Sequence, residues 1–196
     1  MKSPLLLFFL VLTATLRAAE PSDDAYRPHT PTLTFHLTQA DDAADAEAIR
    51  ASLQKLASVS KVTFVSGAVQ VRFDSHVVSY HQVAQAIADA GTPRGKKFDA
   101  TLKLTVPDYA KPGNAAKVDA VLAGKRLNQR VSIEPLERPR GEFRIHFLPL
   151  ATDPADAKPQ GFNGGHLHHP ISDPPPRGLG LPCDYETADA PARVKK

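Results

Sequence analysis

The sequence predicts an α+β protein built around an antiparallel sheet. Alternating apolar residues predict strands, apolar residues at helical spacing predict amphipathic helices, and prolines are concentrated outside these segments. Most of the 18 prolines crowd residues 21–31 and 149–191, so we expect the packed core to lie between Thr32 and Leu150. The length of 196 residues suffices for one medium domain or two small ones.

The first residues have the three parts of a cleavable export signal. Lys2 precedes an apolar run over residues 5–12, and small residues follow at positions 18–19. We expect residues 1–19 to be removed, which lowers the net charge from +3 to +1 because Lys2 and Arg17 are lost. The run is shorter than the ~20 residues that span a bilayer. The mature protein is therefore predicted to be periplasmic or extracellular, without a transmembrane segment; an uncleaved anchor is the alternative.

The composition excludes several function classes. A nearly balanced charge without a basic stripe argues against nucleic-acid binding. The single cysteine, Cys183, cannot form an internal disulfide. The sequence contains none of the nucleophile-elbow, zinc-protease or phosphate-loop motifs, so we do not expect an enzyme.

After a linker at residues 20–31, residues 32–95 form the first predicted domain. Residues 32–38 alternate in polarity and predict a half-buried strand. Residues 42–56 carry apolar side chains at helical spacing behind an acidic first turn, which predicts an amphipathic helix.

A hairpin and a second helix follow. Two runs rich in β-branched residues flank Ser66-Gly67, which predicts a β-hairpin. Ser79 can cap a helix that Gly91 terminates. The order β-α-β-β-α becomes the ferredoxin-like arrangement when a further strand completes it.

Residues at fixed spacing also carry a family resemblance. They are Ile49, Leu53, Leu56, Val59, Val62, Val69, Val71, Phe73, Asp74, Val78, Ser79, Val83, Ala86, Ile87, Ala90 and Gly91. In this spacing the segment from Leu33 to Gly91 resembles the heavy-metal-associated domain of copper chaperones and metal-pumping ATPases. The resemblance implies metal ion binding or metal handling.

That family holds its metal through a Cys-x-x-Cys in the loop before the first helix. The resemblance places these ligands at Asp42 and Asp45, so the thiolates that suit a soft ion are replaced by hard carboxylates. We interpret both residues mainly as first-turn acids that stabilise the helix, and not as ligands. A hard-ion site that includes Asp41 is the alternative, although Mg²⁺ or Ca²⁺ would need more oxygen ligands.

A second possible metal site lies in the sequence Gly-Gly-His-Leu-His-His-Pro. His166, His168 and His169 are suitable ligands for Cu, Zn or Ni, and a flexible loop would let them converge on one ion. A solvated loop without metal is the alternative. The other histidines of the packed region are expected at the surface or at rims: His36, His76, His81 and His146.

The second half repeats part of the pattern. Residues 98–150 predict β-α-β-β, with a helix over 114–122, and we interpret them as a second, degenerate ferredoxin-like domain. Alternatively, residues 100–104 supply the last strand of the first domain. Residues 151–196 form a Pro/Gly/His-rich tail, in which 161–181 is expected to lie extended over a sheet or to dock on a partner.

Two functions therefore stand as hypotheses. The first is an exported metal-handling protein that lacks the usual thiol ligands. The second is a module without metal that binds another exported or envelope protein.

Overall fold

The computed structural model describes residues 30–38, 43–91, 99–128, 130–150 and 161–188. The predicted export signal, Asp41, Asp42 and residues 189–196 lie outside these ranges. Within them the chain forms β1 (Thr32–Leu37), α1 (Ala43–Leu53), β2 (Lys61–Val65), β3 (Ala68–Arg72), α2 (Tyr80–Ala88), β4 (Ala100–Thr105), α3 (Asn114–Asn128), β5 (Val131–Glu137), β6 (Glu142–Phe147), α4 (Gly165–Ser172) and β7 (Asp184–Tyr185). None of the described helices combines the length and the apolarity needed to cross a membrane.

The strands form one antiparallel sheet in the order β2-β3-β1-β4-β6-β5, and β7 pairs with β4 beside this path. The order β4-β1-β3-β2, with α1 and α2 as connections, is the ferredoxin-like arrangement that the sequence predicts. Phe35 of β1 lies opposite Leu102 of β4. Ala100–Thr105 therefore closes the first unit, which is the alternative that the sequence left open.

Local signals fix the first unit. Gly67 has φ +67° in the turn between β2 and β3, a conformation that glycine adopts without strain. The Ser79 side chain accepts a hydrogen bond from the Gln82 backbone, and the Gln82 side chain accepts one from the Ser79 backbone. This reciprocal capping box explains why α2 begins at Tyr80.

The sheet has one apolar and one polar face. Phe35 faces Val69 on one side and Leu102 on the other, and all three are fully buried. The apolar residues of all four helices join them in one core; they include Ile49, Leu53, Val83, Ile87, Val118, Leu122, Leu167 and Ile171. The opposite face carries residues such as Lys61, Lys103 and Arg144. The protein thus has helices on one face of the sheet and an open polar face on the other.

Both outer strands of the sheet are protected against pairing with another chain. On β2, the Arg50 guanidinium donates a hydrogen bond to the Val62 carbonyl at 3.0 Å and lies 5.2 Å from the Phe64 ring centroid. On β5, Pro135 and an irregular register interrupt the ladder. A cationic side chain that covers an edge strand, or a proline within an edge strand, limits edge-to-edge association of sheets.

The second half follows the same connection order as the first: β4, α3, β5, β6, α4, β7. Strand β4 serves both halves, because it closes the first and opens the second. β7 pairs with the end of β4 that β1 leaves free, through Leu104 and Thr105. A degenerate copy is consistent with this order, and its common origin with the first half stays a prediction, as does a domain boundary near residue 98.

The prediction of an extended segment over 161–181 is wrong for its middle part. Residues 165–172 form α4, although they include Gly165 and Pro170. The helix is stabilised by burial, because Leu167 and Ile171 are fully buried in the common core. Tertiary packing overrides the poor helix propensity of the sequence.

Candidate functional site

Asp45, at one of the two positions where the resemblance places a metal ligand, is buried. This residue lies in the first turn of α1 and is 1 % exposed. A carboxylate in this position is stabilised by the helix dipole, and the interpretation that Asp45 is not a ligand stays a prediction. Asp42, the other family position, lies outside the described residues.

The corresponding loop of the second half is filled by side chains. Tyr109 is buried, and its hydroxyl donates to the Asp119 carboxylate at 3.1 Å. Arg138 contacts the same hydroxyl and forms an ion pair with Asp119 at 3.1 Å. This cluster stabilises the loop between β4 and α3.

A cleft of about 1300 Å³ lies at the other end of the sheet, between α4, β7, the start of β1 and the end of β4. It exists because β1 and β4 diverge. They pair only through residues 35–37 and 100–102, and residues 184–187 fill the gap between their other ends. The backbone of Glu186 accepts a hydrogen bond from Thr34 and donates one to Lys103, both at 3.0 Å.

Four histidines line this cleft: His76, His166, His168 and His169. Cys183 lines it as well. The three histidines predicted from the sequence therefore share a surface, and the fold adds His76 and Cys183, which sequence spacing did not associate with them. Within the described ranges, however, no group of three or more His, Cys, Asp or Glu side chains has the spacing of a formed metal site.

The interior of the cleft is apolar and uncharged. Tyr80 packs edge-on against Tyr185 with ring centroids 5.4 Å apart, and the Tyr185 hydroxyl donates to the Gly164 carbonyl at 2.9 Å. Burial raises the pKa of Tyr80 to about 12. Burial, followed by the neighbouring Asp184 charge, raises the pKa of Cys183 to about 12. Cys183 is therefore a protonated thiol near neutral pH and a weak metal ligand.

Charged side chains form the rim. Glu186 forms ion pairs with His36 and Lys103, each at 3.1 Å. Burial alone would raise the pKa of the Glu186 carboxyl, but hydrogen bonds from His36 and Lys103 outweigh that effect and hold the pKa below its usual range. The Glu186 charge is thus balanced by its neighbours, and the carboxylates of Glu142 and Asp184 also line the cleft.

The remaining histidines are divided between the polar face and the core. His146 lies on the open face, where it contacts Asp99 at 3.3 Å and Glu134 at 3.1 Å. His81 was expected at the surface, and that prediction is wrong: it is fully buried in α2. Both of its ring nitrogens bond to backbone from later in the chain, at Leu148 and Phe162.

Comparison with protein families and with curated proteins finds no match. Among solved structures, the chain is similar to a candidate copper-ion-binding protein of Bacillus anthracis strain Ames, with 25% identity, TM-score 0.33, and coverage of 38% of this chain and 99% of that one. It is also similar to the N-terminal soluble domains of Bacillus subtilis CopA, with 12% identity, TM-score 0.35, and coverage of 82% and 97%.

The water-soluble region of the P-type ATPase CopA of Bacillus subtilis aligns with 11% identity, a TM-score of 0.37, and coverage of 87% and 99%. These TM-scores are low. The ferredoxin-like arrangement is accordingly defined by the strand order and pairing of the chain itself.

Proposed function

We propose that the protein is an exported metal-handling module of the heavy-metal-associated type that takes a divalent transition ion, Cu(II), Zn(II) or Ni(II), at the histidine-lined cleft. The observation that carries the proposal is that four of the eight histidines line this one surface. Neutral imidazole suits these ions, whereas the carboxylates at the family's own positions do not suit a soft one.

Two observations support the part of the proposal that relates this chain to the heavy-metal-associated family. The residues that resemble the family lie in the described segment from Leu33 to Gly91, and that segment folds with β4 into the expected strand order. The ion is cargo in this proposal. An incomplete ligand set is compatible with such a role, because open positions allow an ion to be received and passed on.

Calorimetric titration of the mature protein, residues 20–196, with each of the three ions tests the proposal. We expect the wild type to bind an ion, and the triple substitution His166→Ala, His168→Ala, His169→Ala to weaken binding at least about tenfold. His146→Ala is the matched control, because this histidine lies on the open face of the sheet, away from the cleft. A wild type that binds no ion contradicts the proposal, as does a triple variant that binds like the wild type.

The second candidate is a module that binds an exported or envelope protein without metal. It is favoured by the burial of Asp45 and by the polar sheet face, which no described helix covers. A photo-crosslinking residue at Lys61 on that face should capture one defined partner in the native envelope, and the same residue at exposed Gln54 after α1 should not. Equal capture from both positions would contradict this role.

We also propose that the protein is not an enzyme. The single thiol is held protonated by burial, which removes the nucleophilic thiolate.

A further inference from the structure

The four histidines of the cleft differ in which ring nitrogen is available. A neutral imidazole carries one proton, and a metal binds the nitrogen that lacks it. The hydrogen bond made by the other nitrogen decides which one that is. The hydrogen bonds of His166 and of His169 place this proton on different ring nitrogens.

His166 bonds back to Asn163, which precedes α4. Its Nδ1 accepts a hydrogen bond from the Asn163 backbone N–H at 2.8 Å, and its own backbone N–H donates to the Asn163 carbonyl at 3.0 Å. Because Nδ1 is an acceptor, the proton of the neutral ring is on Nε2. A metal ion could bind Nε2 only if that proton were lost, or bind Nδ1 only if the hydrogen bond from Asn163 were broken.

His169 has the opposite arrangement. Its Nδ1 lies 3.3 Å from Oδ1 of Asp173, one helical turn further on. A carboxylate accepts, so the ring proton is on Nδ1 and the Nε2 lone pair is free. A carboxylate that accepts from the remote nitrogen of a metal-binding histidine orients the ring and raises its basicity.

The turn after α4 holds Asp173 in place. Its backbone N–H donates to the His169 carbonyl at 3.0 Å, and its carbonyl accepts from Gly180 at 2.9 Å. The chain passes so close that a Cβ on Gly178 would lie 2.5 Å from the carbonyl oxygens of both Asp173 and His169. The backbone of Asp173 is therefore held by these contacts before any ion arrives, with its carboxylate within reach of His169.

His168 is the neighbour that can share an ion with His169. The two ring centroids are 6.0 Å apart, with the rings nearly perpendicular. With metal–nitrogen distances of about 2.0–2.1 Å, an ion lies about 3.2 Å from each centroid, so two rings on one ion have centroids at most about 6.4 Å apart. The observed separation is just below this limit, which corresponds to ligands on opposite sides of the ion. At a tetrahedral angle or a right angle the centroids would be about 5.2 or 4.5 Å apart, so the two rings must move together by about 1 to 1.5 Å to share an ion.

We propose, on the basis of the proposed function, that His168 and His169 form the ion-binding pair of the cleft, that Asp173 is the positioning residue for His169, and that His166 holds the chain before α4 and is not a ligand. Two imidazoles leave the other coordination positions to water or to a ligand from a partner. Such a site suits Cu(II), Ni(II) or Zn(II) in exchange more than permanent storage.

The first test needs no metal. Two-bond ¹⁵N–¹H correlation spectra of the mature protein at about pH 8 distinguish the two neutral tautomers of each histidine. We expect the Nδ1–H form for His169 and the Nε2–H form for His166, and Asp173→Ala, which removes the acceptor, should shift His169 toward the Nε2–H form. The Nε2–H form for His169 in the wild type would overturn the inference, whether or not the protein binds metal.

The second test measures affinity for Cu(II), Ni(II) and Zn(II). We expect His169→Ala or His168→Ala to weaken binding at least about tenfold, Asp173→Ala to weaken it about 10- to 100-fold, and His166→Gln, whose amide oxygen can still accept from Asn163, to leave it unchanged. A wild type that binds while His169→Ala binds equally well overturns this inference and leaves the proposed function intact. A wild type that binds no ion overturns both.

Discussion

His81 should make the stability of the protein depend on pH. Its Nε2 donates to the Leu148 carbonyl at 2.6 Å, and its Nδ1 accepts from the Phe162 backbone N–H at 3.3 Å, so the ring is held neutral. Burial lowers the pKa of His81, the hydrogen bond to Leu148 opposes this effect, and the nearby charge of Arg130 lowers the pKa further. Protonation of Nδ1 would place two N–H donors face to face.

The sign follows from comparing the folded and unfolded chains. The unfolded His81 has a pKa of about 6.5, and the folded one has a lower pKa. Below about pH 6.5 the unfolded chain therefore binds a proton that the folded chain does not, and the free energy of unfolding decreases by up to about 1.4 kcal/mol per pH unit. The loss continues until the pH reaches the folded pKa, and above about pH 6.5 the contribution is constant.

Urea unfolding followed by circular dichroism at about pH 7.5 and 5.5 measures this effect. His81→Gln is the control, because a glutamine amide can donate to Leu148 and accept from Phe162 but does not titrate. Between the two pH values we expect the wild type to lose up to about 1.4 kcal/mol more stability than His81→Gln. Equal losses in the two proteins would refute the neutral buried state of His81.

Two further substitutions test the fold with matched controls. Gly141→Ala should lower the free energy of unfolding far more than Gly67→Ala. Both glycines have positive φ, which costs about 1–2 kcal/mol for alanine. Only at Gly141 would the added Cβ also clash with the Val106 carbonyl oxygen, 2.0 Å away. Similar urea midpoints would contradict this. Arg50→Ala should promote self-association through β2, because it uncovers the Val62 carbonyl. Analytical ultracentrifugation measures this effect, and Lys61→Ala, on the same strand, should sediment like the wild type. Identical sedimentation of the two variants would show that Arg50 does not protect the edge.

The first unit could be predicted from the sequence because its signals are local. The alternation in residues 32–38, the turn at Gly67 and the cap at Ser79 each act within a few residues, and each is found where the sequence places it. The dual role of β4 could not be predicted in the same way. Alternation indicates that Ala100–Thr105 is a strand but does not indicate which strands lie beside it.

The candidate site is built from residues that are far apart in the sequence, and sequence patterns do not predict their contacts. His76 lies 90 positions before His166, and only the packing of α4 against the end of the sheet brings them to one cleft. For His81, the backbone partners come from Leu148 and Phe162, more than 60 positions away. In α4, a composition typical of a loop is overridden by the burial of Leu167 and Ile171.

The proposed binding cleft lies far from the loop before α1, where the family resemblance places the metal ligands. The strand arrangement explains this separation. That loop follows the C-terminal end of β1, where β1 and β4 are paired through residues 35–37 and 100–102. The cleft lies at the other end of β1, where the strands diverge and residues 184–187 separate them. An isolated first unit would have no strand there and no α4 beside it. The histidine surface therefore depends on the second half of the chain, which adds to the sheet through the strand that the two halves share.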